Sequence, residues 1–555
     1  MKKFKFLFVV MTIASLLLSN CGVLGAITGE KVRVTMVYGS EKEDWLVPLI
    51  EEFNNANYQT ESGATIIVEA TPMGSVEASR QILEGVIEPT VWSPASDLVI
   101  PITNAEWRKT HNEDIVTESD DLVLSPVVIA MWESMANALG YPEKAIGWSD
   151  IAELATADEG WEAYGYPEWG DFKFGHTHPE FSNSGLVSII AQAYSGADKQ
   201  RGLTVDDIED AVTQQLMADV QKSIIHYGSS TGFFARRLFE KGPSYLSAAV
   251  MYENLVINQE TKRLNGESFQ LPVVAIYPKE GTFWSNHPYA ILNAGWVTDE
   301  DREAAEIFRD FLLAPEQQER ALEVGFRPAD VNISLRSPID TQHGVDPSQP
   351  KTILELPKAE VILGIQDLWH DVKKPVDLIL LVDVSGSMEG DKIAAARTSL
   401  SQFIERLGDN DRLAVLLFAD SVGQMSPLTE LGPKRDDVSN RVSGIIESGN
   451  TSLYDAIIYA YDLLEEEGDT NHIRAVVVLS DGMDTWSDNN LFDVEQRIGD
   501  DSEAGGNAVK LFTIGYGNDA DEDVLTKMSE TTGGQFYQSS PQTIDEIYSK
   551  IATFF

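Results

Sequence analysis

Asp383, Ser385 and Ser387 stand at alternate positions directly after the unbroken apolar run 378–382, with Gly386 between the serines. Such a run ending abruptly in polar residues reads as a buried parallel strand breaking into a loop, and open parallel sheets receive ligands at the carboxyl ends of their strands. One carboxylate and two hydroxyls on a glycine-permitted turn converge on a small hard cation. Two further pieces lie downstream. Gly449-Asn450-Thr451-Ser452 opens a helical pattern, and the apolar run 476–479 ends in Ser480-Asp481-Gly482. Oxygen donors without cysteine or histidine select Mg²⁺, Ca²⁺ or Mn²⁺ over zinc or copper. No nucleophile and base stand together near these residues, so the expectation is binding and not an enzyme.

Asp-x-Ser-x-Ser, then a threonine, then an aspartate at a strand end resembles the metal-ion-dependent adhesion site (MIDAS) of von Willebrand factor A (VWFA) domains, with all five positions present in order. The resemblance covers residues 376–555 and implies a doubly wound, Rossmann-like sheet. It also implies that Ser385, Ser387 and Thr451 touch the ion, Mg²⁺ or else Mn²⁺ or Ca²⁺, while Asp383 and Asp481 hold its waters or touch it directly. With so few charges against it the ion stays electrophilic, and an open position accepts a carboxylate from a protein partner. The periodicity agrees with that fold: helices are expected over 393–407, 438–446, 453–464 and 544–555, and strands over 376–382, 413–418, 475–479, 509–516 and 535–538. Asp519, Asp521 and Asp523 with Glu530 have the spacing of a calcium loop, but Val524 stands where that loop needs glycine. The apolar pattern through Val524, Leu525 and Met528 makes this a helix with aspartates in its first turn.

The elements that must position this site belong to a long chain. Its 555 residues exceed what one hydrophobic core supports, so at least two domains are expected. Apolar residues at 43% and charged residues at 23% are those of a folded protein, so disorder does not explain the acidity. Asp and Glu number 88 against 41 Lys and Arg, a net charge of −47, which argues against nucleic acid and anionic membrane surfaces as partners. Residues 1–25 carry Lys2, Lys3 and Lys5, an apolar run 6–18, then Asn20-Cys21, and read as an export signal. Cys21 is the single cysteine, so no disulfide framework exists, and its position resembles the lipidation site of bacterial lipoproteins, although Asn20 stands where that pattern has a small residue. An extracytoplasmic chain held to the membrane at its N-terminus follows, by lipid on Cys21 or by an uncleaved helix.

Residues 30–335 form the first domain, and its opening stretch 31–96 alternates strand and helix in βαβαβ order, which implies a parallel sheet. A strand, Gly39-Ser40, an amphipathic helix with Phe53-Asn54, a second strand and Gly74-Ser75 resemble the bilobal (type II) periplasmic-binding-protein fold of extracytoplasmic solute-binding proteins. Ser125 to Met131 suits the crossing to a second lobe, and 299–325 looks like the closing helix pair. The candidate solute residues are Ser40, Ser93, Ser96, Ser182, Ser184, Tyr252 and Glu253: hydroxyls and free N–H groups at helix starts suit an oxyanion or carboxylate, and a buried Glu253 a cation or polyol. His176 and His178 alternate on one face of an extended stretch, with no further metal ligand evident. Residues 336–375, with Pro338, Pro347 and Pro350, form a linker or the edge of the first domain, and Lys373-Lys374-Pro375 enters the second. Tethered domains of this kind move independently unless their interface is large. The whole reads as a small-polar-solute-binding module joined to a metal-dependent adhesion module. The alternatives are the binding component of an ABC-type transport system with an accessory VWFA domain, or an assembly factor for a metal-insertion or remodelling complex.

Overall fold

The computed structural model describes residues 31–268, 270–502, 509–517, 519–532 and 534–555; Cys21 and the expected export signal lie outside them. Three sheets organise these residues. The first lobe has strand order β2-β1-β3-β10-β4, from β1 (Lys31–Tyr38), β2 (Thr65–Pro72), β3 (Val91–Ser93), β4 (Asp120–Asp121) and β10 (Pro288–Ile291). β1 lies parallel to both β2 and β3, and β10 runs antiparallel to β3 and β4. The helix Glu43–Ala56 buries Trp45, Leu46, Leu49 and Phe53, as their spacing along one face requires. The helices Asp299–Leu313 and Pro315–Glu323 form the closing pair. Thr298 opens the first of them by accepting from the Asp301 N–H at 3.1 Å while Asp301 accepts in return, a reciprocal cap.

The second lobe is built on β5 (Val123–Trp132), the strand that crosses from one lobe to the other. The order is β11-β5-β7-β6, with β8 and β9 also pairing β5; these strands are β6 (Phe174–Gly175), β7 (Ala248–Tyr252), β8 (Val273–Ile276), β9 (Trp284–Ser285) and β11 (Arg327–Pro328). The stretch between the domains is no free tether. It lies along this lobe: Leu354 N–H donates to Thr282 O at 2.9 Å, Glu355 N–H to Gln200 O at 3.0 Å, and the Tyr194 hydroxyl to Glu355 O at 2.7 Å. The helix Ala359–Val372 then packs on the lobe's helices.

The third sheet has the order β14-β13-β12-β15-β16-β17: β12 (Val376–Asp383), β13 (Arg412–Phe418), β14 (Val422–Glu430), β15 (Ile473–Ser480), β16 (Lys510–Tyr516) and β17 (Phe536–Ser539). All neighbours are parallel except β14, an antiparallel edge. β12 is buried at every residue because helices cover both faces, and this is why its sequence is apolar throughout. β14 has no such run. Its Gly423, Gln424 and Pro427 are exposed, and Pro427 is tolerated because an edge strand need not donate on its outer side.

The two domains meet where the strands of the third sheet begin. Trp369 is fully buried between the rings of His178 and Tyr227, at 4.8 and 5.3 Å. Lys373 Nζ pairs with Asp411 at 2.9 Å, and Asp411 also accepts from the Val376 N–H at 3.0 Å. Tyr227 N–H donates to Phe554 O at 3.3 Å, Arg237 donates to Gly534 O at 2.7 Å, and the Arg237 guanidinium lies 5.7 Å from the Phe554 ring centre. One apolar cluster runs without a break from Ile190 and Met217 of the solute lobe through Trp369 to Leu378 and Phe512. The expectation of loosely tethered domains is corrected here: buried apolar surface joins them.

Candidate functional site

The turn after β12 folds back on itself because Asp383 is buried and its carboxylate must be satisfied. Oδ1 accepts from the Ser385 N–H at 2.9 Å, and Oδ2 from the Ser480 hydroxyl at 2.7 Å, at the end of the neighbouring β15. Ser385 and Ser387 hydroxyls lie 2.9 Å apart, and Ser387 donates to Asp481 Oδ1 at 2.7 Å. Thr451 sits on a third loop. It is held by its backbone: Gly386 N–H donates to Gly449 O at 3.0 Å, the Thr485 and Trp486 N–H groups donate to Thr451 O at 2.9 and 3.0 Å, and Thr451 N–H donates to Thr485 Oγ1 at 3.2 Å. A Cβ added at Gly482 would sit 4.0 Å from Thr451 Oγ1, so the hydroxyl faces the Asp481-Gly482 turn. Gly449, at φ +90°, gives the threonine loop a left-handed bend beside Asp420 that a side chain would strain.

Lys392 was not among the residues expected from sequence, yet its Nζ lies 2.5 Å from Asp481 Oδ2. Burial raises the Asp383 carboxyl above its ordinary value, and the neighbouring Asp481 charge adds to the rise. Two buried carboxylates, three hydroxyls and a lysine acting as counter-charge are a donor set that fits a hard divalent cation. Among the described residues no third carboxylate, histidine or cysteine joins them, which disfavours a softer metal. Asp519, Asp521 and Asp523 do not form a calcium loop: Asp521 caps the helix Glu522–Thr531, accepting from the Val524 N–H at 3.2 Å.

Between the lobes lies a buried polar seam. Ser40 and Ser230 hydroxyls are 2.7 Å apart, and Gly232 N–H donates to Ser40 Oγ at 3.0 Å. Ser96 donates to Asn183 Oδ1 at 2.7 Å, and Asn183 donates to the Tyr252 hydroxyl at 3.0 Å. Ser182 and Ser184 both meet the Thr231 hydroxyl, at 3.2 and 2.8 Å. Lys42 Nζ, fully buried, pairs with Glu41 at 3.0 Å and lies 3.4 Å from His287 Nδ1. Burial acts to raise the Glu41 carboxyl, but Lys42 and His287 outweigh it and hold the group at about 2. Ser93 Oγ, Ser285 Oγ and His287 Nε2 are buried in this region without a hydrogen-bond partner among the described residues. Unmet polar atoms of this kind are what a bound polar molecule satisfies. A cavity of about 400 Å³ opens beside the seam, lined by Ser40, Glu41, Arg236, Phe239, Leu255 and Gln259.

Six of the seven expected solute residues therefore stand in or beside one seam. Glu253 does not share it: Arg327 grips both its oxygens at 2.7 and 2.8 Å and Tyr277 donates to it, a fixed contact within the second lobe. His176 and His178 point into the core, where burial lowers them to about 4 and about 3. Lys42, Ser285 and His287 escaped the sequence reading because they reach the seam only through the fold, which brings segments far apart in the chain together: Lys42 meets Pro94 O and His287, and His287 N–H donates to Ala95 O.

Comparison with known proteins accords with this division. The family model for bacterial extracellular solute-binding proteins matches residues 34–327, and that for the von Willebrand factor type A domain matches residues 377–550. Inter-alpha-trypsin inhibitor heavy chain H4 of Sus scrofa is 24% identical over 196 residues, covering 34% of this chain and 21% of that protein. The matched region thus spans about a fifth of that relative's length. Among solved structures, a periplasmic thiamin binding protein covers 62% of this chain and 96% of its own at 13% identity and TM-score 0.44. A von Willebrand factor type A protein from Catenulispora acidiphila covers 32% of this chain and 42% of its own at 19% identity and TM-score 0.29.

Proposed function

Since the chain belongs to the bacterial extracellular solute-binding proteins and carries a von Willebrand factor type A domain behind that module, we propose that it is an extracytoplasmic binding protein with two receiving sites. One takes a small polar solute between the lobes; the other takes Mg²⁺, with Mn²⁺ or Ca²⁺ as substitutes, at Asp383, Ser385, Ser387, Thr451 and Asp481. The single observation that supports the metal site best is the gathering of these side chains from three loops around Asp481, with Ser387 and Lys392 already bonded to it. When bound, the ion supplies an electrophilic contact for a partner's carboxylate. The chain's own residues do the rest: the two carboxylates balance charge, the hydroxyls offer neutral oxygens, and Lys392 keeps Asp481 compensated in the absence of a cation. Both modules are of binding type, and the reading is non-enzymatic.

Calorimetry tests the metal site. The chain binds Mg²⁺, and Asp383→Ala abolishes that binding with an unchanged circular dichroism spectrum; undiminished affinity in the variant would sink the reading. A thermal-shift panel of anions, sugars and amines tests the solute site, because a ligand of the folded state raises the midpoint. Anchoring through Cys21 belongs to the same proposal, and Cys21→Ala is expected to lose incorporation of labelled fatty acid. The extent of the solute-binding match, residues 34–327, favours one second reading, a transport component with the type A domain as accessory. Co-purification with a membrane permease would support it.

A further inference from the structure

We propose that the end of the type A domain braces the two lobes of the solute module in their closed arrangement, so that solute binding and the docking of that domain favour each other; this rests on the solute reading above. The stretch 225–230 of the second lobe lies between the helices Ala211–Lys222 and Thr231–Lys241 and belongs to no strand or helix. Without a ladder or helix of its own, its path is set by what it touches. One end touches the type A domain: Tyr227 N–H donates to Phe554 O at 3.3 Å, and the His226 and Phe554 rings lie 5.9 Å apart. The other end touches the first lobe. Ser230 and Ser40 hydroxyls are 2.7 Å apart, and a Cβ added at Gly74 would sit 2.9 Å from Ser229 O, so the lobes approach there about as closely as a glycine allows. Tyr227 and Ser230 stand three positions apart, which limits their separation to about 10 Å.

The helix Thr231–Lys241 makes the same connection a second time. At its start Gly232 N–H donates to Ser40 Oγ at 3.0 Å, and five residues on, about 8 Å along a rigid rod, Arg237 donates to Gly534 O at 2.7 Å. The first lobe also faces the type A domain. Glu77, in the first turn of the helix Ser75–Leu83, donates its N–H across the lobes to Phe181 O at 3.1 Å. Burial raises its carboxyl; Arg80 acts against that rise, and so does Lys550, while Glu546 adds to it. Lys550 and Glu546 belong to the last helix of the type A domain, Ile544–Ala552, which therefore stands beside both lobes, and Phe554 and Phe555 just beyond it are buried. Parting the lobes breaks the Ser40–Ser230, Ser96–Asn183 and Glu77–Phe181 bonds, carries Glu77 away from Lys550 and disturbs the stretch that Phe554 holds. A domain that makes better contacts with the closed lobes than with the open ones shifts them toward closure, and closure holds the domain more firmly by the same factor.

The test is the distance between the lobes. Spin labels are placed on the full chain carrying Cys21→Ser, through Glu51→Cys in the first lobe and Gln214→Cys in the second, both exposed positions. Pulsed electron paramagnetic resonance then reads the distance distribution with no further change, with Arg237→Ala and with Phe554→Ala. The control is Arg441→Ala, an arginine whose partners Met425 and Asp437 lie within the type A domain itself. The unaltered chain is expected in one short-distance population. Arg237→Ala and Phe554→Ala are expected to raise the long-distance fraction at least about fivefold with an unchanged circular dichroism spectrum, and Arg441→Ala to leave the distribution as it was. One distribution shared by the unaltered chain, Arg237→Ala and Phe554→Ala overturns the brace, whether that distribution is short or long. Any anion, sugar or amine of the thermal-shift panel that binds the unaltered chain is expected to bind Arg237→Ala at least about fivefold more weakly, and equal affinities overturn the coupling. If no panel member raises the midpoint of the unaltered chain, the solute reading fails, and the spin-label distances alone decide the brace.

Discussion

Lys392 and Asp481 show how a single pair tunes a site. The lysine, about a quarter exposed, sits on a carboxylate of the proposed metal site, so a divalent ion bound there would have to displace it or share the carboxylate. A partly exposed pair is worth up to about 1 kcal/mol, so Lys392→Met is expected to bind Mg²⁺ about fivefold more tightly and to lose stability when metal-free. Calorimetry and melting in EDTA read both; weaker Mg²⁺ binding by the variant would mean that the lysine assists the ion. Histidines carry a second prediction. Burial holds His178 at about 3 and His226 at about 3, and His176 at about 4, below the ordinary value of 6.5. The unfolded chain takes up these protons below that ordinary value while the folded chain refuses them, so their contribution is complete above it and is lost as pH falls toward the folded values. The net charge of −47 relaxes over the same range and works the other way. The readout is therefore a difference: between pH 7.5 and 5 the midpoint of His178→Gln falls less than that of wild type, and equal falls would mean that His178 protonates freely in the fold.

At the scale of elements, the helix Thr231–Lys241 joins three bodies. Its first turn meets Ser40 of the first lobe and Ser182 and Ser184 of the second. Arg236 reaches Glu43 of the first lobe at 2.8 Å, and Arg237 reaches Gly534 of the type A domain. The two arginines are adjacent in sequence and unequal in energy. The Arg236 pair is a third to a half exposed on its two sides and contributes little, under about 1 kcal/mol. Arg237 makes a charge-assisted hydrogen bond to a backbone carbonyl, worth about 1.5–3 kcal/mol, and lies over Phe554. Urea unfolding followed on the second domain is expected to shift for Arg237→Ala and hardly for Arg236→Ala; equal shifts would contradict this ranking.

For the whole molecule, the buried contact at Trp369, Lys373 and Phe554 means that the type A domain and the second lobe stabilise each other. Expressed alone, residues 376–555 expose Phe554 and Phe512 and lose the Lys373–Asp411 pair, so their melting midpoint is expected below that of the same domain in the full chain. Trp369→Ala removes a fully buried indole and costs about 3–5 kcal/mol, and calorimetry of that variant should show the two modules melting apart. An isolated domain as stable as the intact one would show that the contact contributes nothing.

The turn after β12 is legible in the chain because its cause is local: a strand buried on both faces must be apolar, and the polar run that follows marks where it ends. Asp383, Ser385, Ser387, Thr451 and Asp481 stand out by type and order, and the alternation of strand and helix predicts the parallel core of the third sheet and the parallel pairing of β1 with β2 and β3, but not the mainly antiparallel sheet of the second lobe. β14 does not stand out, since an edge strand half in solvent carries no continuous apolar run. In the solute seam the hydroxyls at helix starts were readable, because a helix start is a local event. Tyr252 and Glu253 were equally plausible on sequence, and only the fold separated them by bringing Arg327 to Glu253 and Asn183 to Tyr252. Lys42, His287, Ser480 and Lys392 take their roles from partners on other elements or across the lobes. The docking of the two domains was hidden for the same reason: Trp369 lies on an amphipathic helix and Phe554 just beyond another, and neither pattern says whether the apolar face meets its own sheet or a neighbouring domain.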